Sequence, residues 1–251
     1  GLLIAQVLAA RGAVPVVLNG VEHLRVDPRH RSHFPVSYEP EVCAFLRSEV
    51  RAGDVVLNIG ANIGLYALCL GHWVGASGRV FAFEPAPDAR LLLERHVRLN
   101  ALADRVEVVA AAVSDRVGTA PFFAAGIEGT NRLDQPNPDA PDAELLSVTV
   151  TTIDAFCEER NIAADWIVAD VEGHEAAVLR GARQTIGARP GRTRIVVEMH
   201  PSLWPAAGGG LGEMAQALEA LDLTPVALQG QQDPLREYGI VALEPRRPRA
   251  G

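Results

Sequence analysis

The chain has 251 residues, 48% of them apolar, which is enough for one full hydrophobic core, and it carries a formal charge of −8. That charge offers no attraction to nucleic acid, and basic residues cluster only at Arg246, Arg247 and Arg249, so neither DNA nor RNA is an expected partner. All 23 basic residues are arginine, which rules out a lysine base or Schiff base, because a guanidinium does not deprotonate.

Gly1 to Ala10 is apolar but too short to span a bilayer, and it reads as a helix fragment within an N-terminal extension, residues 1–37, packed on the core. Cys43, Cys69 and Cys157 are widely spaced and odd in number, which suggests neither a disulfide framework nor a zinc site and fits a cytoplasmic protein. From residue 38 to 251 the pattern is that of one α/β domain. Apolar runs predict strands near 54–59, 79–83, 105–110, 165–169, 193–198, 223–228 and 238–243. Helical periodicity predicts helices near 40–51, 62–74, 87–100, 152–160, 174–187 and 211–221. This alternation implies a seven-stranded, mostly parallel sheet with helices on both faces. Only a short turn near 230–235 separates the last two strands, too short for a crossover helix, so the final strand is predicted antiparallel.

The stretch Asp54-Val-Val-Leu-Asn-Ile-Gly-Ala-Asn-Ile-Gly64 reads as a buried strand, a glycine turn and a helix start. Gly60 and Gly64 let the backbone turn tightly and approach a ligand, and the following helix points free N–H groups at it. Glu84 ends the next strand, Val80-Phe-Ala-Phe-Glu-Pro85, where a carboxylate can accept from two ribose hydroxyls. A dinucleotide fingerprint would have glycine at position 62. Asn62 instead argues for a cofactor with a ribose but no pyrophosphate, and S-adenosylmethionine (SAM) fits.

Asp170, Glu172, His174 and Glu175 crowd the end of the strand near 165–169, and Glu198 and His200 end the next strand on one face. Glu175, in a first helical turn, reads as a charge complementing the helix dipole. The acidic residues and the two histidines have chemistry suited to a divalent ion, but spacing alone assigns no metal ligands. Residues 125–146 and 201–210 lack helical or strand periodicity, follow strands of the sheet, and could wall a substrate pocket.

Taken in order, Tyr38-Glu-Pro-Glu-Val42, Gly53 to Gly64, Gly78 to Pro85, Ala112-Val-Ser-Asp115, Asp170-Val-Glu-Gly173 and Val197-Glu-Met-His200 resemble the FkbM family of SAM-dependent methyltransferases. The resemblance implies the Rossmann-like class I methyltransferase fold and O-methylation of a small-molecule hydroxyl, in a sugar or natural product. The cofactor set that follows is Asn58, Gly60, Ala61, Asn62, Gly64, Glu84, Pro85, Val113 and Asp170. Two positions depart from the family pattern: Asn58 stands where Asp is usual, and Val168 stands where Lys is frequent.

For the chemistry, His200 is the expected general base, with Glu198 orienting it or stabilising its imidazolium. Asp170 and Glu172 are expected to position the reactants, and His174 is the alternative base. The competing readings are a nicotinamide-dependent oxidoreductase, which would share an acidic residue after the second strand, and a SAM-binding protein without catalysis. The sequence is silent on oligomeric state.

Overall fold

The computed structural model describes residues 12–127, 131–136, 140 and 142–246. The expected helix fragment at 1–10 and the arginines at 247 and 249 lie outside them. Among the described residues, thirteen strands run in order as β1 (Val14–Leu18), β2 (Glu22–Val26), β3 (Val55–Ile59), β4 (Arg79–Phe83), β5 (Val106–Val109), β6 (Ala112–Val113), β7 (Gly118–Ala124), β8 (Arg132–Leu133), β9 (Glu144–Thr151), β10 (Trp166–Ala169), β11 (Arg194–Met199), β12 (Leu223–Ala227) and β13 (Gly239–Pro245). The main sheet has the order β12-β13-β11-β10-β3-β4-β5. Strands β5, β4, β3, β10 and β11 pair in parallel, while β13 runs antiparallel to both β11 and β12, as the short preceding turn predicts.

Burial on both faces explains the continuous apolar runs of the central strands. Val56, Val168 and Val196 pack on one face with helices Leu65–Trp73 and Pro87–Leu99. Leu57, Ile59, Ile167 and Val197 pack on the other with Phe156, Leu179 and Met214. Because side chains alternate along a strand, Asn58 shares the face of Val56, and Glu198 shares that of Val196. From β3 the chain continues to one side through β4 and β5, then returns to the other side as β10 and β11. The carboxyl ends of β3 and β10 therefore border the crevice in which ligands of open α/β sheets bind.

Three features differ from the sequence expectations. The N-terminal region contains an antiparallel β1–β2 hairpin whose Val16, Leu18, Leu24 and Val26 join the core. The segment expected as a plain loop at 125–146 carries β8 and the start of β9 within its described residues, and these join β6 and β7 in a separate four-stranded sheet. The expected helix at 174–187 is two, Glu175–Arg180 and Arg183–Ala188, broken beside Gly181. Gly181 lies against the Ser114 carbonyl, where a Cβ would come within 2.1 Å of the oxygen. Cys43, Cys69 and Cys157 are buried and unbridged. No helix among the described residues is long and apolar enough to cross a membrane.

Candidate active site

The glycine turn after β3 is built by close approach. Gly60 has φ +75°, and a Cβ there would sit 1.8 Å from the Asp170 carbonyl oxygen, so the turn presses against the end of β10. The Gly60 and Ala61 amides donate to the Phe83 carbonyl at 3.1 and 2.9 Å. Asn62 and Gly64 also take positive φ, which delays the helix to Leu65 rather than 62.

Two cavities meet at this turn, sharing Gly60, Asn62 and Asp170. One encloses about 610 Å³ and is lined by Glu84, Pro85, Val113, Glu172 and His174, with Phe122 and Leu133 from the four-stranded sheet. The other encloses about 540 Å³ and is lined by Tyr38, Asn58, Ala61, Gly64 and Glu198. Every residue of the expected cofactor set lines one or both of them.

The donor set suits SAM. Glu84 is buried, and its oxygens accept from the Asn62 amide at 2.7 Å and the Ala86 amide at 2.8 Å, leaving lone pairs for ribose hydroxyls. Burial pushes its carboxyl up to about 7 against those two hydrogen bonds. In the second cavity Asn58 is 3% exposed, and its Oδ1 is buried without a hydrogen-bond partner. An orphaned acceptor of this kind fits an ammonium group such as that of the methionine moiety.

His200 lies between the strand ends. Its Nδ1 is 2.8 Å from Glu175 Oε1, while its Nε2 lies 3.9 Å from Asp170 Oδ1, 3.9 Å from Glu172 Oε1 and 3.8 Å from Glu198 Oε1. Burial alone would lower the imidazole pKa, but the Glu175 hydrogen bond and the surrounding carboxylates raise it to about 9. Asp170 is pushed well above the usual carboxylate range, first by burial and then by Glu198. Part of its side chain faces the cleft, yet Oδ1 is buried without a partner. Glu172 is also raised, chiefly by burial.

The residue at His200 Nδ1 is thus Glu175, not Glu198 as the sequence suggests. Glu175 stands in a first helical turn as expected, but it is fully buried and also accepts from His200, the Gly173 amide and the Trp204 indole. Glu198 instead accepts from the Tyr238 hydroxyl. His174 Nε2 is bonded to the Leu133 carbonyl at 2.7 Å, which ties β8 to the loop after β10 and occupies that nitrogen. Tyr238 is missed by sequence reasoning: it lies in the turn region before β13 with no motif around it, yet its ring meets His200 edge-on at 5.3 Å between centroids. Asp170, Glu198 and His200 also offer ligand atoms all within 4.8 Å of one another, a geometry that could hold a metal ion.

A seven-stranded sheet with this order, carrying a glycine turn after its central strand and an acidic end on the next, defines a class I SAM methyltransferase. The Methyltransferase FkbM domain profile matches residues 58–223. A curated relative, 31-O-demethyl-FK506 methyltransferase FkbM of Streptomyces tacrolimicus, is 31% identical over 74% of this chain and 78% of its own length. Hexuronic acid methyltransferase AglP of Haloferax volcanii is 29% identical over 66% of this chain and 64% of its own length. Among solved structures, methyltransferase FkbM of Methylobacillus flagellatus superposes with a TM-score of 0.50 at 16% identity, covering 76% of this chain and 43% of that one. The chain belongs to the FkbM family of methyltransferases, whose methyl donor is SAM. Membership sets aside the nicotinamide oxidoreductase reading.

Proposed function

We propose that this chain transfers the methyl group of SAM to a hydroxyl of a small molecule, a sugar or natural product. The observation that carries the reading is His200: its Nδ1 is held by buried Glu175, and its Nε2 faces Asp170, Glu172 and Glu198 beside the glycine turn. The names of the two curated relatives, for a 31-O-demethyl-FK506 and a hexuronic acid methyltransferase, support the acceptor class. Residues 38–251 form the methyltransferase domain in this reading and 1–37 an extension to it.

SAM, when bound, would supply an electrophilic methyl group, whose bonding pair to sulfur would stay on sulfur as the acceptor oxygen took the methyl carbon. Asn58, the glycine turn and Glu84 hold the donor, and Asp170 and Glu172 orient the acceptor hydroxyl. Neutral His200 takes the hydroxyl proton on Nε2, and Glu175 stabilises the imidazolium through Nδ1–H. The raised pKa means that His200 must first lose its resting proton, and a neighbouring sulfonium charge favours that loss.

The test is methyl transfer from methyl-labelled SAM to a panel of hydroxylated acceptors, with calorimetry of SAM binding alongside. His200→Ala should reduce turnover about 100-fold or more, in line with general-base catalysis, while leaving SAM affinity within a few-fold. SAM binding without transfer to any acceptor would make the chain a non-catalytic SAM-binding protein, and undiminished turnover by the variant would remove His200 from the chemistry.

A further inference from the structure

Glu172 sits in a strained turn. It has φ +48° and Gly173 has φ +99°, and the His174 amide donates back to the Val171 carbonyl at 3.2 Å, so both central residues of the turn at 171–174 are left-handed. Turns with positive φ at their first central position favour glycine, asparagine or aspartate there, and a longer side chain persists only when its surroundings hold the backbone in place. Gly173 meets its own requirement, and it packs so closely on the loop after β11 that a Cβ would come within 3.0 Å of Leu203 Cβ. Glu172 needs a constraint from outside the turn.

Arg132, in β8, supplies one. It is 1% exposed, and its Nε donates to the Glu172 carbonyl at 2.9 Å, its Nη1 to the Pro136 carbonyl at 3.3 Å and its Nη2 to the Leu203 carbonyl at 3.3 Å. The Leu203 amide in turn donates to the His200 carbonyl at 2.9 Å. One guanidinium therefore joins the loop that carries Glu172 to the loop that leaves His200. The next residue of β8 adds a second hold, since the Leu133 carbonyl accepts from His174 Nε2 at 2.7 Å. Burial lowers the Arg132 pKa, and the charges of Glu172 and Glu175 oppose that change. Only a planar fork of donors spans three separated carbonyls; an ammonium is a point donor.

We propose that Arg132 is a positioning residue of the active site, acting through Glu172: it holds the left-handed turn that directs this carboxylate at His200 Nε2. This inference rests on the methyltransferase reading of the same site. Glu172 lines the cavity that also holds Glu84 and His174, and its Oε1 is 3.9 Å from His200 Nε2. Relaxation of residue 172 to negative φ would re-aim its Cβ and carry the carboxylate away from that nitrogen. The four-stranded sheet then does more than wall the cleft, because β8 sets the shape of the loop after β10.

The test is a double-mutant cycle on the pKa of His200, read by imidazole nitrogen NMR in the unmodified protein, Arg132→Lys, Glu172→Gln and the double variant, each with S-adenosylhomocysteine. Lysine keeps the charge at position 132, so a shift in Arg132→Lys reports where Glu172 stands and not the loss of a cation. Asp170, Glu175 and Glu198, the other carboxyl groups around His200, are the same in all four proteins. Glu172→Gln should lower the His200 pKa by about one unit, the small end of the effect of a carboxylate at this distance. Arg132→Lys should give about half of that fall or more, and the double variant should fall no further than Glu172→Gln alone. With an acceptor from the methyl-transfer panel, Arg132→Lys should cut kcat about tenfold or more while KM for SAM stays within about threefold, and should cut it less than about twofold in the Glu172→Gln background. A packing role alone leaves the His200 pKa unmoved and costs the same factor in both backgrounds, and either result overturns the proposal. Should Arg132→Lys fail to fold, the unmodified protein decides: Arg132 Nε–H should exchange with solvent about 100-fold or more slowly than that of an exposed arginine, and ordinary exchange overturns the proposal. Failure of the unmodified protein to bind S-adenosylhomocysteine would instead overturn the methyltransferase reading, and the pKa cycle, run without ligand, would still decide the role of Arg132.

Discussion

Glu175 Oε1 lies 2.8 Å from His200 Nδ1, and the same carboxylate accepts the Trp204 indole N–H on Oε2 at 2.7 Å and the Gly173 amide at 3.0 Å. A carboxylate can only accept, so His200 donates through Nδ1–H and its other nitrogen is turned to Asp170, Glu172 and Glu198. Glu175 is fully buried and cannot rotate into solvent without breaking three hydrogen bonds. Glu175→Gln removes the charge that helps raise the imidazole pKa to about 9. The pKa of His200 should then fall, because a positive group loses a negative partner, and the alkaline rise of kcat should move to lower pH. The maximal rate should drop about tenfold or more as the imidazolium loses its stabiliser. Imidazole nitrogen NMR together with the pH–rate profile checks this; a rate loss with an unmoved pKa would make Glu175 a packing residue only.

Glu84 links cofactor binding to pH. Its carboxyl is pushed up to about 7, chiefly by burial, while ribose hydroxyls donate best to the ionised form. Binding therefore favours proton release, and SAM affinity should rise as pH climbs toward about 7 and level off above it. Glu84→Gln should abolish that step and weaken binding roughly 10- to 100-fold, the scale of one or two lost hydrogen bonds to a charged group. Calorimetry in buffers of different ionisation enthalpy measures both the affinity and the proton count.

The cofactor side of this site is legible in the sequence because its parts are local. Gly60, Gly64 and Glu84 fall within 25 residues, and each type has a backbone or hydrogen-bonding reason to stand where it does. The antiparallel β13 is legible for a similar reason, since connection length decides it. Glu175 is not, because its first-turn position already has an ordinary electrostatic explanation and its partners His200 and Trp204 arrive from 25 and 29 residues away. The four-stranded sheet is missed because β9 is half exposed and alternates clearly only near its end, which gives weak strand periodicity.

Asn58 carries a testable cost. Its Oδ1 is buried without a donor, and its Nδ2 reaches the Val168 carbonyl only at 3.5 Å, so the side chain is poorly satisfied before the cofactor enters. Asn58→Asp would oppose a ligand ammonium with a full charge and should tighten SAM binding about tenfold, the gain of about 1.4 kcal/mol from a charge-assisted hydrogen bond. The same change adds a buried carboxylate to a cavity that already holds Asp170 and Glu198, so the unliganded variant should melt at a lower temperature. Thermal melts with and without SAM measure the two effects together. Unchanged affinity would separate Asn58 from the ammonium.

Metal dependence distinguishes two uses of His200. Asp170, Glu198 and His200 present ligand atoms within 4.8 Å of one another, and a zinc-like ion with bonds of about 2.0 to 2.2 Å would need the present 3.8 and 3.9 Å separations to close by only a few tenths of an ångström. The roles exclude each other, since an Nε2 lone pair given to a metal cannot also take the hydroxyl proton. With His200 as the base, prior chelation should leave the methyl-transfer rate unchanged, and His200→Ala should remain inactive in added manganese or zinc. A rate that falls more than tenfold on chelation and returns with a divalent ion would make these three residues ligands. The hydroxyl would then be activated by the metal, and its proton would go to Glu172, the remaining carboxylate beside them.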